Sequence, residues 1–310
     1  MQDPNATKVR FGESSAAWPG ERNLMSRILT KSAEVRAESR SAKRNGRVVG
    51  FVPTMGALHD GHARLIEQAR KESGLVVVSI FVNPTQFGPL EDYSCYPRTF
   101  EADLARCESA GADLIFAPDV PTLYPRQRDA MTFVEVPGLS DILEGASRPG
   151  HFRGVVTIVC KLFGIVEPDL AFFGAKDYQQ QLVIRHAVAD LDLAVEVRTV
   201  QTVRDSDGLA LSSRNRYLDL EQRRASGVLW RALSEAKAAV EAGERDANRV
   251  RQILTRTIES ERAAEIDYAE VADAETLERL DVLAPRHRAV GLLAVRFGTT
   301  RLIDNAYVMD

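Results

Sequence analysis

His59 and His62 stand three residues apart, with Asp60 and Gly61 between them, in the stretch VVGFVPTMGALHDGHARLIEQARKES at 48–73. An apolar run precedes them and a helix-periodic pattern follows, so the pair occupies a glycine-bearing turn between a buried strand and a helix start. Such a turn aims backbone N–H groups and the positive end of a helix at its ligand, and phosphate is the usual guest. Imidazoles placed there can donate to phosphate oxygens where negative charge develops during transfer. A lone histidine would more often cap a turn or sit at the surface. Here the flanking Gly56 and Gly61 and the strand–helix context favour chemistry.

Other residues could share that task. Lys176 lies in Gly174-Ala175-Lys176-Asp177, between a short apolar run and a helical pattern. There it either meets phosphate or is a solvated loop lysine. Asp177 suits the cap of the helix that follows. Ser212, Ser213 and Arg214 sit in a polar, glycine-bearing stretch at 208–215, expected to be a mobile loop. Two hydroxyls and a guanidinium make a pyrophosphate clamp. Gln86 and Gln180 are neutral amides able to hold a hydroxyl and a carboxylate without adding charge, although either alone would usually be a surface residue. Met55 and Phe81 suit an apolar wall or ordinary core packing equally well. His151 and Arg153, in RPGHFRG, face either the site or a subunit contact. No serine or cysteine accompanies a histidine in a nucleophile motif, so no covalent enzyme intermediate is needed.

The elements that must position these groups read as an α/β fold. A helix is expected over residues 24–44, then a buried strand at 48–52 and a second at 75–82 that is apolar almost throughout, as in a parallel strand covered on both faces. A helix at 100–110 precedes a strand at 113–116, and 132–136 (TFVEV) alternates like another strand. Residues 148–154 read as a loop, 155–166 as an apolar helix, 170–173 as a strand, and 178–188 as a helix before a strand at 195–200. This alternation argues for an open, mostly parallel, Rossmann-like sheet with helices on both faces. From about Asp205 the texture changes to two amphipathic helices and strands at 266–271, 289–295 and 300–305, the last two joined as a glycine-bearing hairpin. Three parts follow: a loose extension (1–23), a catalytic α/β domain (24–204), and a small α+β domain (205–310) forming a lid.

The 310 residues carry a formal net charge of −4, which makes no case for nucleic-acid binding. No apolar run approaches the roughly 20 residues of a membrane span, and the first residues have no apolar signal core. Three widely spaced cysteines without a C-x-x-C pair suggest a reduced, cytoplasmic protein.

At PTMGALHDGH (53–62) the chain resembles the pantothenate synthetases, whose signature is a version of the HxGH motif of nucleotidyltransferases and class I tRNA synthetases. The resemblance continues through FVNPTQF (81–87), YPRTFEADL (96–104), RPGHFRGVVTIVCKLF (148–163), FGAKDYQQ (173–180) and TVRDSDGLALSSRN (202–215). It covers nearly all of residues 24–305. It implies condensation of pantoate with β-alanine through a pantoyl adenylate, driven by cleavage of ATP to AMP and pyrophosphate. It also implies an ATP site built from Met55, Gly56, Ala57, Leu58, His59, Asp60, Gly61 and His62. Gly174 to Asp177, the Val203 backbone at adenine, and Leu211 to Arg214 complete that site. Catalytic roles fall to His59, His62, Lys176, Ser212, Ser213 and Arg214. Gln86, Gln180, Met55 and Asn83 would hold pantoate and β-alanine. Asp103 is either a holder of Mg²⁺ or an exposed helix aspartate. Dimers are common in that family, which implies a homodimer. Two competing readings are a nucleotidyltransferase acting on a phosphorylated acceptor and a non-catalytic nucleotide-binding module. The first would want more cations than FVNPTQF supplies, and the second has no need of both histidines, Lys176 and Arg214 together.

Overall fold

The computed structural model describes residues 26–89, 91–126, 131–285 and 288–309. The extension at 1–23, together with Leu24 and Met25, lies outside them. Strands β1 (Arg27–Leu29), β2 (Val49–Thr54), β3 (Leu75–Ile80), β4 (Leu114–Phe116), β5 (Leu170–Gly174) and β6 (Glu196–Val200) form one sheet. Its order is β1-β4-β3-β2-β5-β6, with every pair parallel. The helices of this part are α1 (Ser32–Arg44), α2 (Asp60–Glu72), α3 (Phe100–Ala110), the single turns α4 (Val120–Leu123) and α5 (Glu144–Ser147), α6 (His151–Val166) and α7 (Tyr178–Asp190). Strand pleating sends Val49, Phe51 and Val77 into a core with α1 and α6, and Val52, Val76 and Val78 into a second core with α2 and α3. The sheet is therefore covered on both faces, which is why its strands are apolar without alternation.

Strand order reverses at β2, which has β3 on one side and β5 on the other. Pairing with β5 covers only Gly50 and Phe51, whereas pairing with β3 runs on to Thr54. Pro53 has no N–H to extend a ladder, and the two strands part there. A crevice at the carboxyl ends of strands where the order reverses is where open α/β sheets bind ligands.

Three local expectations change. Residues 24–44 are not one helix: Ile28 and Leu29 pair with Ile115 and Phe116 as an edge strand, and α1 starts only at Ser32. Residues 132–136 form no strand, because a helix rather than a strand lies alongside. The Thr157 hydroxyl of α6 accepts from the Val134 N–H at 2.9 Å and donates to the Val134 carbonyl at 3.3 Å, replacing a ladder. Only the first part of 148–154 is loop. Gly150, at φ +79°, turns the chain, and α6 begins at His151.

The tail comprises α8 (Leu220–Ala225), α9 (Val228–Glu241), α10 (Ala247–Glu259) and an antiparallel sheet of β7 (Ala264–Asp273), β8 (Ala289–Phe297) and β9 (Thr300–Met309). One sheet face packs on α9 and α10. On the other, Val290 and Leu292 of β8 meet Phe152 and Val156 of α6 and Tyr178 and Leu182 of α7. Each such buried side chain contributes about 1.5–3 kcal/mol, so this face holds the tail onto the parallel-sheet part. Among the described residues no helix is long and apolar enough to cross a membrane.

Candidate active site

The turn after β2 is held in an unusual conformation. Gly56 has φ +79° and Ala57 φ +51°, and the left-handed region is costly for alanine. Asp103 of α3 stabilises it. Its carboxylate, 2% exposed, accepts from the Ala57 N–H at 3.0 Å, the Leu58 N–H at 2.8 Å and the Thr99 hydroxyl at 3.2 Å. Both oxygens accept hydrogen bonds from the protein. Asp103 is thus the brace of this turn rather than a metal holder or an exposed aspartate, and the Ala57 and Leu58 N–H groups face it rather than a ligand.

The two histidines cap α2. His59 Nδ1 accepts from the Gly61 N–H at 3.1 Å, and His62 Nδ1 accepts from the His59 N–H at 3.3 Å. This reciprocal cap explains the glycine in H-D-G-H, since a Cβ at Gly61 would lie 2.8 Å from the His59 ring. An imidazole that accepts at Nδ1 carries its proton on Nε2. Burial depresses His59 to about 4, helped by Lys176, and His62 to about 3, helped by His59. Both rings are neutral near pH 7 and 4.1 Å apart between centroids, and among the described residues neither Nε2–H has a hydrogen-bond partner. The rings take the His59 and Gly61 N–H groups, so the side-chain donors at this helix start are the imidazoles.

Lys176 Nζ lies 3.1 Å from Asp177 Oδ1. Burial alone would raise the Asp177 carboxyl, but Lys176, with Arg214 beyond it, holds it below the usual carboxylate range. Asp177 occupies the cap position of α7, yet its side chain makes no cap hydrogen bond, because Lys176 has claimed it. After β6 the chain forms a hairpin bridged between Arg204 and Ala210, where the Leu211 N–H donates to the Val203 carbonyl at 3.0 Å. Val203 is absent from the cavity wall and its carbonyl is already used. Ser212 accepts from the Arg214 N–H at 3.3 Å, and Arg214 pairs with Asp92 at 3.6 Å. Tyr96 meets Ser213.

Gln86 follows β3 and is 7% exposed. Its amide donates to Met55 Sδ at 3.1 Å and accepts from Asn83 Nδ2 at 3.0 Å. Asn83 is 1% exposed and saturated: Nδ2 also donates to the Gly154 carbonyl, while Oδ1 accepts from Thr85 and the Tyr124 hydroxyl. It fixes Gln86 rather than lining the site. His151 fixes the same residue from α6. Arg148 donates to its Nε2 at 3.0 Å, so Nδ1 carries the proton and donates to the Gln86 carbonyl at 2.8 Å. Burial and then Arg148 lower His151 to about 4. A Cβ at Gly154 would stand 2.4 Å from the Thr85 carbonyl oxygen and 2.6 Å from Gln86 N, so only glycine lets α6 approach this backbone. Arg153 instead stacks over Phe133, 4.8 Å from its centroid. Phe81 is core.

A cavity of about 520 Å³ lies between the parallel sheet and the tail; Met55, Gln86, Lys176, Gln180, Ser212 and Arg214 are in its wall. His59 and His62 are not in that wall; Lys176 and Asp177 are the charged neighbours they share with it. Gln180 presents its amide with no side-chain hydrogen bond among the described residues, whereas Gln179 is tied to Leu139 and Ile142. The wall also holds groups that no sequence motif marked. Arg301 of β9 makes a bidentate pair with Glu144 at 2.7 and 2.8 Å, and the Tyr268 hydroxyl donates to the same carboxylate. Arg148 pairs with Glu91 at 2.6 Å. Only RPGHFRG signalled any of this, through Arg148. Each carboxylate in the wall—Glu91, Asp92, Glu144, Asp177 and Asp304—has a cationic partner. Among the described residues no cluster of three metal-ligating side chains occurs.

Comparison with known proteins shows the family. Residues 27–307 match the family described as pantoate-beta-alanine ligase. A pantothenate synthetase of Acetivibrio thermocellus is 49% identical over 91% of this chain and 99% of its own length. One of Pelotomaculum thermopropionicum is 54% identical over 90% and 98%. The crystal structure of pantothenate synthetase from Thermus thermophilus superposes with TM-score 0.85 at 45% identity, covering 92% of this chain and 100% of that one. A pantoate-beta-alanine ligase from Francisella tularensis, solved with beta-gamma ATP and beta-alanine, gives TM-score 0.73 at 32% identity over 91% and 98%. With the match running from β1 to β9 and identities near one half, the chain belongs to the pantoate–β-alanine ligase family, the pantothenate synthetases.

Proposed function

We propose that the enzyme binds ATP, pantoate and β-alanine and works in two steps. A pantoate carboxylate oxygen attacks the α-phosphorus of ATP, forming pantoyl adenylate as pyrophosphate leaves. The β-alanine amine then attacks the acyl carbon, losing a proton, and AMP departs with the anhydride electrons. What carries this reading is the pair of neutral imidazoles, each with a free Nε2–H and with Lys176 close enough to depress both. Preorganised neutral donors gain most as charge grows on the phosphoryl oxygens, which lowers the barrier more than it tightens ground-state binding. Lys176 and Arg214 would neutralise the leaving pyrophosphate, with Ser212 and Ser213 as hydroxyl donors. Gln86 and Gln180 would hold pantoate against Met55, so that orientation supplies much of the rate.

Magnesium fits this wall only as an ion carried on nucleotide phosphates, since it keeps several waters and takes one or two carboxylates. Asp92 and Asp177 are the acids in place to serve it. The tail from about Asp205 would act as the roof of the site, and the family resemblance favours a cytoplasmic homodimer.

The test is AMP release from purified protein with ATP, Mg²⁺, pantoate and β-alanine, each acid omitted in turn. Release of AMP that requires pantoate is expected. Formation of ADP instead would sink the adenylate route.

A further inference from the structure

We propose that Asp304 and Asn305, neighbours on β9, are positioning residues that fix the lysine loop and the serine–arginine arm relative to each other. Asn305 is 8% exposed and donates from Nδ2 to the Lys176 carbonyl at 2.7 Å and the Ala175 carbonyl at 3.1 Å. Ala175 is held from the opposite side, its N–H donating to the Val200 carbonyl at 2.8 Å. The lysine backbone is thus clamped between β6 and the tail.

Asp304, 2% exposed, serves the other loop. It accepts two bonds from Arg204, at 2.6 and 2.9 Å. Arg204 in turn donates to the Gly208 carbonyl at 3.0 Å and lies over the Trp230 ring, 3.9 Å from its centroid. That secures the bridged hairpin from which Leu211 to Arg214 emerge. The two anchors are themselves joined, since the Asn305 N–H donates to Asp304 at 2.8 Å and Arg204 donates to the Asn305 carbonyl at 3.2 Å. Successive strand residues face opposite ways, so one dipeptide can reach two loops. An amide and a carboxylate this deeply buried cost desolvation that apolar residues would avoid. Placement of Lys176 against Arg214 is what they supply in return.

This inference rests on the role proposed for Lys176, and a double-mutant cycle separates the two. Asn305→Asp keeps the shape but turns an acceptor toward two carbonyl oxygens. We expect kcat for AMP release to fall about tenfold or more, the scale on which small misplacements act. KM for β-alanine should change less than about twofold, because that substrate does not depend on the phosphate cations. In a Lys176→Ala background the same change should add less than about twofold, since residues acting through one group are not additive. Losses that multiply would overturn the inference, assigning Asn305 to the fold alone. So would an Asn305→Asp enzyme with full turnover. Full turnover in Lys176→Ala alone would instead remove the lysine role, and this inference with it. Should Asn305→Asp fail to fold, Asn305→Ser, which keeps one donor, serves in the same cycle.

Discussion

In the proposed reaction the histidine turn and the cavity wall face the same problem, holding donors ready for an anion inside a folded protein, and solve it in opposite ways. At the turn, burial strips charge from His59 and His62, and the backbone locks their tautomers. In the wall the donors are cations set against carboxylates: Lys176 against Asp177, Arg214 against Asp92, Arg301 against Glu144. The neutral solution needs no counter-ion, whereas the charged one must give up a partner when phosphate arrives. Such a site can therefore stay nearly neutral while its donors wait.

The comparison can be broken in order of expected effect. Lys176→Ala should lower kcat by about 10²–10³-fold, or about 2.7–4 kcal/mol, the scale for losing one preorganised stabilising donor. Steady-state AMP release measures it, and a loss below threefold would take the charged side out of the transition state. His62→Ala should cost about 10²-fold in kcat and, through the lost cap, about 1 kcal/mol of stability. A variant melting like the parent would show that the cap is dispensable. Gly154→Ala should cost about 1–3 kcal/mol by overpacking against Thr85 and Gln86 and raise KM for pantoate, read by denaturant unfolding and pantoate titration. Unchanged stability would mean α6 can shift without cost.

The smallest effect concerns pH. An unfolded histidine titrates near 6.5, while His59 and His62 fold with values of about 4 and about 3. Between these limits the unfolded chain binds more protons, so stability present above pH 6.5 is lost as pH falls toward 4. Melting temperature should drop between pH 7 and 5, less steeply in His62→Gln. A flat wild-type profile over that range would argue that the folded rings take up protons as readily as the unfolded ones.

Much of this was legible in short-range pattern. Strands at β2 and β3 announce themselves as apolar runs, and H-D-G-H with its glycines places a turn at a helix start because every determinant lies within a few residues. Asp103 misled because its partners, Ala57 and Leu58, are 46 and 45 residues away. Asn83 belongs to the right neighbourhood, but its saturation by Tyr124 and Gly154 depends on α6 folding back. Ile28 and Leu29 look helical until Ile115 and Phe116 offer them a strand edge. Arg301 and Asn305 bear no local signature. A lone arginine or asparagine on a strand becomes part of a site only when the tail docks.

The double use of the imidazoles has one more consequence. Active-site residues commonly trade stability for activity. At the start of α2 the atoms that hold the helix, Nδ1 of His59 and His62, and the atoms proposed to meet the ligand, their Nε2–H groups, belong to the same two rings. Selection for heat resistance alone would then favour both histidines, and a library screened for folding would retain the donors proposed for catalysis without being asked for them.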